Sequence, residues 1–171
     1  FINEIQKIAL SRTVYTYNGK VQSPSVIVKD SEGKSLRNGT DYTVTVPKGR
    51  KEIGSYTYTI KFKGNYAGIV TRSMVINPKA TTLSKVKGYK KYFIAKWKKY
   101  NVKNTGYELQ YSTNARFTSG TKTKAVKSYK TVSLKVKTAK KKYYVRIRTY
   151  KRVGGKNYYS AWSKARTVKV K

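Results

Sequence analysis

The strongest constraint on this chain is a two-residue alternation of apolar and polar side chains, repeated in short segments that are each cut by a turn. Residues 41–46 (DYTVTV) alternate up to Pro47, and Lys48-Gly49-Arg50-Lys51 then reverses the chain. Residues 56–63 (YTYTIKFK) alternate again before Gly64-Asn65-Tyr66-Ala67-Gly68. Residues 25–30 (SVIVKD) precede the turn-rich Ser31-Glu32-Gly33-Lys34, and residues 69–77 complete this part. Further on, residues 92–100 put Phe93, Ala95 and Trp97 on one face. Residues 106–113 do the same with Tyr107, Leu109 and Tyr111, leaving Glu108 and Gln110 on the other. Val132, Leu134 and Val136 share a face of residues 131–137, and Val168 and Val170 oppose Lys169 and Lys171. No segment carries a 3.6-residue period. Strands with one apolar and one solvated face, joined by Gly, Asn and Pro turns, build antiparallel sandwiches. The content of β-formers agrees, with 17 Tyr and a single Met.

The chain has 40 Lys plus Arg against 6 Asp plus Glu, and neither His nor Cys. Residues 1–79 hold 13 cations and 5 anions, a net of +8, whereas residues 80–171 hold 27 cations and one anion, Glu108, a net of +26. That shift, with Pro78 stopping the preceding strand, predicts one domain over residues 1–78 and a strongly basic second over 79–171. No stretch approaches the ~18–20 apolar residues of a membrane helix. The sequence opens on Phe1 without an apolar leader, so it is read as part of a longer protein.

The second domain resembles a fibronectin type III domain. Trp97, Tyr107-x-Leu109-x-Tyr111 and Tyr143-x-Val145-x-Ile147 carry the resemblance. It implies that Trp97 is the core tryptophan and that Tyr143 is a corner tyrosine bonded to backbone just upstream. The family usually has Leu, Gly and Pro before that corner, where this chain has Thr138-Ala139-Lys140-Lys141. Residues 12–77 resemble a bacterial immunoglobulin-like module through Tyr15-x-Tyr17-Asn18-Gly19-Lys20, Gly39-Thr40-Asp41-Tyr42 and Gly64-Asn65-Tyr66-Ala67-Gly68. The expected fold class is therefore all-β, with two tandem antiparallel β-sandwich domains. The pairing, with its KVKVK ending, is similar to the C-terminal region of secreted or wall-associated proteins of Gram-positive bacteria. This resemblance implies an accessory or spacer role at the cell surface.

The residue types limit the chemistry. Without His or Cys there is no common triad, thiol nucleophile or zinc set. A glycosidase pair needs two carboxyl groups, and the second domain has only Glu108. Asp30 and Asp41 are read as turn formers, and Lys29 and Lys34 oppose a cation site at Asp30-Ser31-Glu32. Glu108 is expected to be a surface partner of a nearby Arg or Lys, contributing little stability. No cofactor or metal is expected, and the chain is read as non-catalytic.

The stretch KKKYYVRIRTYKR, residues 140–152, focuses the binding question. Alternation sends Tyr143, Val145 and Ile147 to the core, and Tyr144, Arg146, Arg148 and Tyr150 outward. A net charge of this size attracts polyanions: wall teichoic or lipoteichoic acid, anionic membranes, sulfated or sialylated host glycans, and nucleic acid nonspecifically. The expected polyanion contacts are Lys140, Lys141, Lys142, Arg146, Arg148, Lys169 and Lys171. Tyr144, Tyr150, Tyr158, Tyr159 and Trp162 have two readings. They form either a glycan platform, as in a carbohydrate-binding or host-adhesion module, or a cation–π ladder with Arg146 and Arg148, which is preferred. Trp162 shares parity with Val168 and Val170, so facing outward requires a bulge or break before them.

Overall fold

The computed structural model describes residues 3–171, which form strands and turns without a helix. The chain divides into two units, Phe1–Asn77 and Pro78–Lys171.

In the first unit the strands are β1 (Ile5–Leu10), β2 (Val14–Thr16), β3 (Val26–Asp30), β4 (Tyr42–Thr45), β5 (Gly54–Phe62) and β6 (Ile69–Asn77). One sheet pairs β1 with β3, and the other has the order β2-β6-β5-β4. Tyr58, Ile60 and Phe62 are the buried alternates of β5. Ile60 and Phe62 pack with Val28, Leu36, Tyr42 and Tyr66, and Tyr58 packs with Leu10, Met74 and Ile76. One pairing departs from the antiparallel expectation: β2 runs parallel to β6. The chain passes from β1 to β2 through Ser11-Arg12-Thr13 with no hairpin to reverse it, so it changes sheets without being folded back.

Asp30 has the turn role expected of it. Its Oδ1 accepts hydrogen bonds from the Glu32 and Lys34 amides, and its Oδ2 accepts one from the buried Tyr66 hydroxyl at 3.0 Å. Burial pushes the carboxyl's pKa up. The amides of Lys34 and Glu32, the Tyr66 hydroxyl and the Lys34 charge more than offset this, so the net shift is downward. A depressed carboxyl stabilises the fold above its unfolded pKa of about 4, and that stability is lost as pH falls through the lower folded value. An acid titration of unfolding should show the first unit weakening below about pH 4, with a shallower acid limb in Asp30→Asn.

The second unit contains β7 (Leu83–Tyr89), β8 (Tyr92–Trp97), β9 (Thr105–Ser112), β10 (Lys122–Val126), β11 (Ser133–Lys137), β12 (Lys142–Val153), β13 (Lys156–Tyr159) and β14 (Arg166–Lys169). One sheet has the order β11-β8-β7. The other has β10-β9-β12, with both β13 and β14 paired to β12. Phe93, Ala95, Trp97, Tyr107, Leu109, Val136, Val145, Ile147 and Val170 fill the space between the sheets. Trp97 is the core tryptophan, 3% exposed. The tyrosine corner also forms: the Tyr143 hydroxyl donates to the Ala139 carbonyl at 3.2 Å and accepts from the Thr138 hydroxyl at 2.8 Å. Thr138 thus supports a corner that lacks the usual Leu, Gly and Pro.

Candidate functional site

The outer face of the β10-β9-β12-β13 sheet is built on β12. Tyr144, Arg146, Arg148 and Tyr150 point outward from it, as alternation requires, yet all are half-buried. Register explains the polar part of this cover. Arg146 lies directly across from Gln110 on β9, and Arg148 across from Glu108. Arg146 donates Nε and Nη2 to Gln110 Oε1 at 2.9 and 2.7 Å, and Gln110 Nε2 donates to Thr123 Oγ1 on β10 at 3.1 Å. Arg148 donates Nε and Nη2 to Glu108 Oε2 at 2.9 and 2.6 Å.

Aromatic rings close over both guanidinium groups. Arg146 stacks on Phe117 at 4.1 Å and on Trp162 at 4.5 Å. Arg148 stacks on Trp162 at 4.3 Å and on Tyr159 at 3.6 Å. The resulting column runs Phe117, Arg146, Trp162, Arg148, Tyr159. Burial, followed by repulsion from Arg148, lowers the Arg146 pKa from its ordinary value, but a guanidinium stays charged. The rings and the Glu108 carboxylate offset that repulsion.

A break in the last strand lets Trp162 face outward. Strand β14 pairs with the first part of β12 and β13 with the last, leaving Arg146 to Thr149 between them. Two serines complete the ladder across the gap. The Ser160 amide donates to the Thr149 carbonyl at 3.0 Å, and its hydroxyl accepts from the Thr149 amide at 3.0 Å. Ser163 does the same for Ile147, at 2.8 and 3.1 Å. Ala161 and Trp162 lie between these anchors, so the parity carried back from Val168 no longer applies.

The predicted site residues therefore separate into groups. Lys140, Lys141, Lys142, Lys169 and Lys171 are exposed. Arg146 and Arg148 are held in the column and are not free cations for a partner. Trp162 and Tyr159 are stacked on them. Tyr158 corrects an expectation: it is only 8% exposed, because adjacent residues of a strand face opposite ways and Tyr159 takes the outer side of β13. The Lys142 ammonium lies 5.4 Å from the half-buried Tyr144 ring. Tyr150 lines an open cavity of about 510 Å³ with Glu108, Lys127, Arg152 and Asn157. Glu108 has the arginine partner expected of it, Arg148, but the pair is largely enclosed rather than on the surface, the side chains being 14% and 22% exposed.

Sequence reasoning missed Phe117, Ser160 and Ser163. The signal for Phe117 was an aromatic residue alone in a polar loop. Its φ of +57° is held by the turn in which its amide donates to Asn114 and its carbonyl accepts from Thr121. Among the described residues no group of three or more His, Cys, Asp or Glu is placed to hold a metal.

No family model matches the sequence, and no curated protein matches it. Among solved structures it is similar to the crystal structure of the FN1–FN3 domains of chicken CNTN1. The identity is 9% and the TM-score 0.38, over 99% of this chain and 67% of that one. The sandwich fold itself rests on the sheet orders and buried faces described above.

Proposed function

We propose that this chain is a non-catalytic accessory and spacer pair of a secreted or cell-surface bacterial protein. Its second unit would associate with anionic polymers of the envelope, wall teichoic or lipoteichoic acid. The observation that carries this reading is the charge of residues 80–171: 27 cations face one anion, and that anion is committed to Arg148. The remaining positive charge is mostly on exposed lysines, where it sets up a field that attracts any polyanion. Flat β-faces without a groove-reading helix fit adhesion by charge better than recognition of a base sequence.

The test is retention of the chain on purified cell walls across a salt series, with and without teichoic acid. Retention should fall as salt rises, because binding releases counterions, and should fall again when teichoic acid is stripped. Retention that ignores both would overturn the proposal. A second reading, glycan binding, is favoured by one observation. Tyr150 lines an open cavity beside Asn157 and Arg152, whereas Trp162 and Tyr159 are already stacked. Binding of a neutral sugar that survives high salt would favour it.

A further inference from the structure

One end of the second unit gathers lysines from three separate parts of the chain. The turn between β7 and β8 supplies Lys90 and Lys91. The end of β11 and the corner leading into β12 supply Lys137 and Lys140 to Lys142. The final segment supplies Lys169 and Lys171. All of these side chains are exposed. Backbone hydrogen bonds fix them together: Lys91 N donates to the Lys171 carbonyl at 3.0 Å, and Lys171 N donates to the Tyr89 carbonyl at 2.9 Å. Thr138 N donates to the Lys91 carbonyl at 3.0 Å, and Val170 N to the Lys141 carbonyl at 2.9 Å. None of these segments contains an Asp or Glu. Lys142 lies directly across the sheet from Lys169, a like-charge pair that destabilises a sheet unless something offsets it.

We propose that this lysine pole is where the second unit grips a linear phosphodiester polymer; this rests on the envelope-polymer reading and gives it a location. The pole contains lysines and no arginine. A compact ammonium on a flexible stem meets phosphate as a point charge, whereas a guanidinium fork selects planar, bidentate partners. A flexible chain with one negative charge per repeat can satisfy several such ammoniums in many conformations. Nucleic acid would need more than the pole provides. Single strands want free stacking platforms, and the rings at the pole are already engaged: Tyr89 and Tyr92 stack on each other at 4.8 Å, with the Lys87 and Lys135 ammoniums over their faces, and Tyr144 is half-buried beside Lys142. Duplexes want a helix or ribbon in a groove. The chain enters the unit at its other end, where Lys79 N donates to the Tyr100 hydroxyl at 3.2 Å and the Lys79 carbonyl accepts from Thr149 Oγ1 at 2.7 Å.

The test compares two variants of the full chain with equal net charge. The pole variant carries Lys90→Gln, Lys91→Gln, Lys140→Gln, Lys141→Gln and Lys171→Gln. The control carries Lys96→Gln, Lys98→Gln, Lys122→Gln, Lys124→Gln and Lys164→Gln. Binding of purified poly(glycerol phosphate) lipoteichoic acid is measured across salt, with heparin and single-stranded DNA as comparators. The pole variant should lose affinity at least about tenfold at 0.1 M salt. Its slope of log K against log salt should flatten by about 0.7 for each lysine that contacted the polymer. The control should lose less than about threefold, because long-range attraction is screened beyond about 10 Å at 0.1 M salt. The melting temperature is a second readout. The pole variant should melt higher than the native chain without polymer and should be raised less by polymer than the native chain is.

Equal losses in the two variants would overturn the pole and leave the envelope reading standing, with charge acting diffusely. Native binding indifferent to salt would overturn both. Heparin binding tighter than the polymer at matched charge would overturn the phosphodiester assignment, and single-stranded DNA binding tighter than it would overturn the choice of a polymer without bases.

Discussion

Trp162→Ala should lower the stability of the second unit by about 2–3 kcal/mol while leaving retention on anionic polymer nearly intact in the folded protein. The indole contacts two guanidinium groups at once. Each such contact is worth ~0.5–1 kcal/mol when exposed and about 2 when desolvated. This site is intermediate, because both arginines are half-buried. The loss also opens the Arg148–Glu108 pair to water, weakening a charge pair whose oxygen and nitrogen lie 2.6 Å apart. For a domain of this size, each kcal/mol moves the melting temperature by about 4–8 °C, so a drop of about 8–24 °C is expected. Trp162→Phe should recover part of it. Ordinary stability accompanied by loss of a ligand would instead mean that the ring is a binding platform.

A comparable loss, about 3 kcal/mol, is expected from Gly88→Ala. The reason is backbone rather than conformation. A Cβ at Gly88 would lie 1.9 Å from the Lys169 carbonyl oxygen, 2.8 Å from its carbon and 3.2 Å from a Val168 methyl. Two of those atoms are main chain and cannot rotate aside, so β14 must move away from β7. Overpacking costs ~1–3 kcal/mol where neighbours can adjust, and this site sits at the upper end of that range. The shift would disturb Val168 and Val170, 6% and 0% exposed. It would also strain the hydrogen bonds that hold Lys171 to Tyr89 and Lys91. Thermal unfolding and amide exchange at Lys91 and Lys171 check this together. Unchanged stability with unchanged protection would show that the strands can part without cost.

Most of the strand pattern was legible in the sequence, for a physical reason. Alternation is a property of one extended backbone, so a single segment reveals its own buried face. The assignment of Tyr143, Val145 and Ile147 to the core and Arg146 and Arg148 to the outside came from β12 alone. The elements missed by pattern were those in which one segment is too little. Strand β2 has three residues and β13 four, and β1, β7 and β10 lack a clean alternation, β7 being interrupted by a register shift between Leu83 and Lys85. Tyr158 was placed outside because its chemistry matched its neighbour, although two adjacent strand residues cannot share a face.

The candidate site was less legible because its partners are distant in sequence. Gln110 and Glu108 meet Arg146 and Arg148 only through the register of β9 on β12, and Phe117 arrives from a loop. Whether Trp162 faces in or out depended on a strand break that Ser160 and Ser163 make tolerable. The sequence by itself determined an all-β chain, the faces of its principal strands, a basic second domain and the lack of common catalytic sets. Those follow from backbone periodicity and residue type, which are local. Only the tertiary structure decided which cations are already occupied and which converge. Arg146 and Arg148 are enclosed by rings and partners across the sheet, while lysines from a turn, a corner and the last strand are drawn to one pole by backbone hydrogen bonds.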